Sequence, residues 1–289
     1  MKVDVQIVNA FVFNDKGGNP AGVVLDADQF SSEEKLKIAA KVGVSETAFV
    51  SQSSIADFKL DFFTPNRQIA HCGHATIATF SYLAQLGKVP RQNSSKETID
   101  GRREILLKGE LAFMEQRAPS YFEPISLTEK ILASLGITKT NLVTGKPISV
   151  VNTGNSFLII PIHFKDTLKD LKPNMKLIHE VSDELDLIGF YPFTLETFEK
   201  ISDASTRMFG PRYAITEEAG TGMAAGPLAC YLYDVIGFKK THLVIEQGWL
   251  MNPASPSQIV VDLEIANHKI QRLMAGGKGL VSESKIIDI

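Results

Sequence analysis

Short β-rich apolar runs alternate with turn residues along much of this chain. The stretches "VQIVNAFVFN" and "GNPAGVVLD", joined by Asp15-Lys16-Gly17-Gly18, predict two opening strands. Ser31 and Glu34 then form a capping box ahead of a helix that Gly43 ends. "VSETAFV" and "DFKLDFF" predict further strands, and Cys72-Gly73-His74 opens a small-residue helix ending near Gly87. The polar stretch "RQNSSKETIDGRREI", residues 91–105, reads as a solvated turn between strands. Residues 125–136 read as helix, whereas "ISVVNTGNSFLIIPI", "THLVIEQGWLM" and "SQIVVDLEI" return to strands. Strands clustered around a few helices, without regular βαβ alternation, predict an α+β fold.

Composition narrows the function classes. At 289 residues with 44% hydrophobic and 22% charged residues, the chain has enough length for a substantial core. A formal net charge of −3 and dispersed lysines and arginines give no electrostatic footprint for nucleic acid, so no nucleic-acid partner is expected. No apolar run approaches membrane-spanning length, and no membrane partner is expected. The first residues, interrupted by Asp4, Gln6 and Asn9, read as a strand rather than a signal peptide. Two cysteines, Cys72 and Cys230, make no disulfide framework, and a cytoplasmic location is the expectation.

A short internal repeat organises the motifs. Phe63-Thr64-Pro65 followed by Cys72-Gly73-His74 is echoed by Phe209-Gly210-Pro211 followed by Ala219-Gly220-Thr221-Gly222, each before a helix. Gly18-Asn19 before "PAGVVL" is likewise echoed by Gly154-Asn155 before "SFLIIPI". The repeat predicts two similar halves, 1–118 and 119–289, with the last strand free to cross back to the N-terminal half. If the two helix starts face each other, their amides and dipoles form an anion-binding cleft suited to a small carboxylic acid. Glycines there could instead serve only close packing.

Four groups of residues could carry chemistry. In "VSETAFV", alternation sets Glu46 beside Val44, Ala48 and Val50; lost hydration would raise its pKa towards that of a useful base. A glutamate leaning into water at a strand end fits the same pattern. His74, in the first turn of a helix, is disfavoured as an imidazolium and suited to proton relay, or else it is bonded to nearby backbone. Cys72 precedes that helix start, but its counterpart in the repeat is Ala219, so a two-thiol racemase is excluded and Cys72 reads as a small buried residue. His71, Cys72 and His74 lack a second Cys/His cluster, so no metal is expected. No phosphate loop, dinucleotide fingerprint or nucleophile elbow is present, which points to acid–base work without a cofactor. Glu217-Glu218 precedes the second helix start as either a solvated pair or a substrate-binding one.

Taken together, "GNPAGVV" at 18–24, "SETAFV" at 45–50, "FFTP" with "CGHAT" at 62–76, Arg207 to Pro211, "TGMAAGPLACYL" at 221–232, "QGWLMNPAS" at 247–255 and "GGKGLV" near the end resemble the PhzF, or phenazine biosynthesis-like, family. That family is related to diaminopimelate epimerase and proline racemase. The resemblance implies two pseudo-symmetric epimerase-like domains, each a bent sheet around a central helix, with the active site between them. It also implies a homodimer, no cofactor, and an isomerase moving a proton within a small carboxylic acid, as in dihydro-hydroxyanthranilate isomerisation. The family's catalytic glutamate and histidine correspond to Glu46 and His74; Glu218, standing where an aspartate is expected, is the third expected catalytic residue and joins His74 in orienting or protonating the substrate. Candidate substrate contacts are Asn19, Ser45, Gly73, Thr221, Gly222 and Met223. Met223 replaces a family serine and Asp61 a common arginine, so the expected substrate is a different, more apolar acid. Two alternatives accompany this reading: a Cys72-dependent epimerase or racemase, and a non-catalytic small-acid-binding member.

Overall fold

The computed structural model describes residues 1–89 and 91–289, which divide into two units: 1–115 with 276–289, and 116–275. In the first unit, β1 (Lys2–Ala10) turns Val3, Val5 and Ile7 inward and pairs antiparallel with β2 (Asn19–Val24). Helix α1 (Ser32–Val42) follows. Its capping box forms as expected, with Ser31 and Glu34 bonding reciprocally, and Gly43 ends it at φ 79°, where a side chain would be strained. Ile38, Ala39 and Val42 of α1 join Val5, Val24 and Phe30 in one core cluster.

Strands β3 (Thr47–Ser51), β4 (Phe58–Phe63) and β5 (Gln68–Ile69) come next, then α2 (Gly73–Gln85), which packs against β1, β2 and β3. The polar stretch from 91 to 105 is not a solvated turn. It forms β6 (Asn93–Thr98) and most of β7 (Gly101–Lys108), with the turn confined to the residues between them. Ser94, Ser95 and Lys96 are all buried, so the polar residues here are covered on both faces of the strand. β8 (Leu111–Arg117) pairs antiparallel with β7.

The second unit contains β9 (Ser120–Phe122), α3 (Thr128–Leu135), β10 (Ser149–Asn152), β11 (Ser156–Pro161), α4 (Lys165–Lys169), α5 (Met175–Glu184), β12 (Gly189–Thr194) and β13 (Ala204–Thr206). α6 (Gly222–Tyr231) runs into a π-helical turn, Leu232–Ile236, which Gly237 ends. β14 (His242–Gln247), β15 (Ser257–Ala266) and the 20-residue β16 (Lys269–Asp288) complete the chain. Residues of β16 from 276 onward belong to the first unit, where they pair antiparallel with β1. α3 and α5 pack a core of Ile131, Leu135, Ile178 and Val181 against Leu158, Ile160 and Phe190 of the sheet.

Pairing order recurs in the two units. β1-β2-β3-β4-β6-β7 alternates antiparallel, parallel, antiparallel, parallel, antiparallel. The series β10-β11-β12-β13-β14-β15 does the same. The result is a mixed α+β architecture dominated by sheet. No helix among the described residues is long and apolar enough to cross a membrane.

Candidate active site

Glu46 does not lie in a strand with an apolar face. β3 begins at Thr47 and is buried on both faces, so the alternation expected of Val44, Glu46, Ala48 and Val50 does not hold. Glu46 sits at the strand's threshold, where its carbonyl accepts a bond from Gly22 N at 2.9 Å. The residue is nevertheless only 8% exposed. Glu46 Oε2 lies 3.2 Å from His74 Nε2, off the axis of an ideal hydrogen bond.

Burial pushes the Glu46 carboxyl up, but its contacts with His74 and Ser45 outweigh that effect and hold it below the usual glutamate range. The expected upward shift is thus reversed. Dehydration was legible in the sequence, whereas the compensating imidazole, 28 residues further on, was not. Glu46 is therefore ionised at neutral pH, the form that accepts a proton.

His74 lies in the first turn of α2, with Gly73 opening the helix and Cys72 at its N-cap. The Cys72 Sγ is 3.6 Å from His74 Nδ1, so the imidazole stands between a thiol and a carboxylate. Burial raises the Cys72 pKa, despite the opposing influence of His74, and keeps the thiol protonated. Glu46, Cys72 and His74 come close enough for a metal to be considered. The ring, however, turns Nδ1 to the thiol and Nε2 to the carboxylate, whereas an ion would use one of these nitrogens. The donor set suits a proton path better than a shared cation. Asn19 begins β2 and is buried; Ser45 is exposed beside Glu46.

Asp61, where the resemblance leads one to expect an arginine, is tied to Lys35 of α1 at 2.6 Å in a largely buried pair within the first unit.

In the second unit, Glu218, Thr221, Gly222 and Met223 gather at the start of α6. The Thr221 hydroxyl donates to the Glu218 carboxylate. Gln247, buried and quoted above only as part of a motif, is the hub: its Oε1 accepts from Thr221 N at 3.0 Å and from the Tyr191 hydroxyl at 2.7 Å. Its Nε2 donates to the Glu218 carbonyl at 2.7 Å. Gln116 likewise holds the Gly222 carbonyl at 2.9 Å. Gln116 lies in no quoted motif, and Gln247, though first in "QGWLMNPAS", carries no charge that would single it out. Met223 is partly buried, and Asn155 Nδ2 donates to its Sδ at 3.7 Å.

The adjacent acids separate in role. Glu217 forms a bidentate pair with Arg207, at 2.8 Å to both Nε and Nη2. Arg207 also donates to the Leu168 and Lys169 carbonyls, so Glu217 is structural. Arg207→Met should destabilise the fold by about 3 kcal/mol by stranding Glu217, a loss readable in urea denaturation.

The sequence profile described as "Phenazine biosynthesis-like protein", PhzC-PhzF, matches residues 8–284. The chain is 32% identical to the uncharacterized isomerase YfhB of Bacillus subtilis, over 100% of this chain and 99% of that one. It is 26% identical to trans-2,3-dihydro-3-hydroxyanthranilate isomerase of Pseudomonas aeruginosa, over 94% and 95% of the two chains. The crystal structure of a PhzF-family phenazine biosynthesis protein of Bacillus anthracis superimposes with a TM-score of 0.92 at 28% identity, covering 100% of both chains. With the match running through both units and through the Glu46, His74 and Glu218 motifs alike, this chain belongs to the PhzC-PhzF family of phenazine biosynthesis-like proteins.

Proposed function

We propose that this protein is an isomerase that moves a proton between two carbons of a small carboxylic acid, with Glu46 as the carrier. The ionised Glu46 carboxylate takes a proton from a C–H bond, whose electron pair delocalises into the substrate. The resulting Glu46 carboxylic acid then gives the proton to a second carbon, restoring the enzyme. His74 steadies the carboxylate and shares its proton. The backbone N–H groups at the start of α2 bind the substrate's carboxylate; that helix has no side-chain cap, whereas Ser31 caps α1. The observation that carries the reading is a buried carboxylate 3.2 Å from an imidazole, at the positions the family motifs mark. The isomerase names of relatives support the same class.

For the substrate, we propose an acid less polar than trans-2,3-dihydro-3-hydroxyanthranilate, because Met223 and Asn155 pair through a thioether where a hydroxyl would donate. Met223→Ser is expected to raise turnover of that dihydro-hydroxyanthranilate by about tenfold, a gain near one hydrogen bond in size. Product assay by liquid chromatography reads the change; unchanged or lower turnover contradicts it.

A Cys72-dependent epimerase is the second reading, favoured by the 3.6 Å contact between Cys72 Sγ and His74 Nδ1. Its raised pKa weighs against it. Cys72→Ser should retain proton transfer within about threefold of wild type if the thiol only packs beside the ring. Activity lost in Cys72→Ser but kept in Glu46→Gln would establish the epimerase instead.

A further inference from the structure

Lys96 is a buried ionisable group that the proposed reaction does not use. It lies in β6, its side chain is 0% exposed, and no carboxylate pairs with it among the described residues. A buried lysine without an acid partner is ordinarily replaced by an apolar residue, since desolvating the ammonium costs several kcal/mol. Its surroundings show what it holds. Nζ donates to Thr76 Oγ1 at 2.5 Å, and Thr76 Oγ1 donates in turn to the Cys72 carbonyl at 2.6 Å. His71 Nδ1 stands 3.4 Å from the same Nζ, and the Phe62 ring centroid 5.0 Å away. The chain from Nζ thus ends on Cys72, the N-cap residue of α2 two residues before His74; the Cys72 thiol itself touches the His74 ring.

We propose that Lys96 is a positioning residue for the Glu46–His74 pair: its buried ammonium braces the first turn of α2 through Thr76 and favours the unprotonated, base-competent form of that pair. The inference rests on the catalytic reading given above. A cation that acts on the Cys72 thiol, which in turn touches the His74 ring, disfavours a further proton on the pair. Every charged or titratable group facing Lys96 has a place in this balance. Cys72 comes from the N-cap of α2, His71 from the segment before it, Arg103 from the paired position on β7, and Asp100 from the β6–β7 turn; the Thr76 hydroxyl of α2 accepts from Nζ. Arg103 opposes the Lys96 charge and Asp100 favours it. Burial dominates, bringing the Lys96 pKa to about 7. His71 is pushed well below its usual range by burial and by Lys96 and Arg103, so it accepts from Nζ rather than competing as a cation.

Nuclear magnetic resonance of the full-length protein tests this without a substrate. The His74 ring resonances report the protonation midpoint of the pair. In Lys96→Met that midpoint should rise by about one pH unit, about tenfold in proton affinity, with the melting transition still cooperative. A folded variant whose midpoint is unmoved overturns the proposal while leaving the role of Glu46 intact. If Lys96→Met does not fold, the wild type decides. Lys96 Nζ should titrate near neutrality and the His74 ring signals should inflect at the same pH. Absence of that shared inflection overturns the proposal. Conversely, a shared inflection in a protein whose Glu46→Gln variant stays fully active would retain the coupling and remove the catalytic reading.

Discussion

Glu46→Gln is expected to slow proton transfer within the substrate by about 10²–10⁴-fold, the range typical for removing a positioned general base. The amide is nearly isosteric and keeps an oxygen able to face His74, so folding should be little changed. The amide cannot accept the substrate's proton at neutral pH. The loss should fall on kcat and kcat/KM alike, because the interaction removed is one made in the transition state. Parallel thermal melts establish that the variant is folded. Turnover equal to wild type would remove Glu46 from the mechanism.

Gly248→Ala should produce the largest change in stability. Gly248 follows β14, directly after Gln247, with φ at 81°, a conformation an alanine adopts only with strain. An added Cβ would lie 2.1 Å from the Ser255 carbonyl oxygen and 2.7 Å from that of Ala219. Both obstacles are backbone, so no side-chain rotation relieves them. A loss of about 3 kcal/mol or more is expected, measured by urea denaturation of the intact protein. Since Ala219 lies between Glu218 and Thr221, the same substitution should disturb the Gln247 hub. A variant as stable as wild type would mean that this turn yields easily.

Much of the fold was legible because its signals are local. The Ser31–Glu34 capping box, the glycine stop at Gly43 and the strands ending in "FKLDFF" and "IVVDLEI" each depend on residues close in sequence. The motif repeat also falls at corresponding points of the pairing series: Gly18-Asn19 opens β2, and Gly154-Asn155 precedes β11. The segment from 91 to 105 departs from the expected turn because its polarity does not mean solvent exposure. Its hydroxyls and Lys96 are buried against partners from elsewhere in the chain: Asp57 accepts from both Ser94 and Ser95, and Thr76 accepts from Lys96.

At the candidate site, residue types were easier to find than their electrostatics. Glu46 and His74 were singled out by motif, and they meet at 3.2 Å. The direction of the Glu46 shift depended on that meeting, which strand alternation could not supply. Glu217 and Glu218 are neighbours that no local rule distinguishes. Arg207 takes the first and Thr221 the second, through contacts set by the tertiary fold. Gln247 and Gln116 were missed for the same reason: a buried amide declares itself only through its partners.

The central claim is that one buried carboxylate carries a hydrogen from carbon to carbon. The most direct test begins with the acid recovered by mass spectrometry from protein isolated from its native host. That acid is deuterated at its donor carbon and isomerised in a single turnover in ordinary water. The account predicts deuterium at the acceptor carbon of the product, because Glu46 keeps what it removes. Complete replacement by solvent hydrogen at that carbon would contradict it.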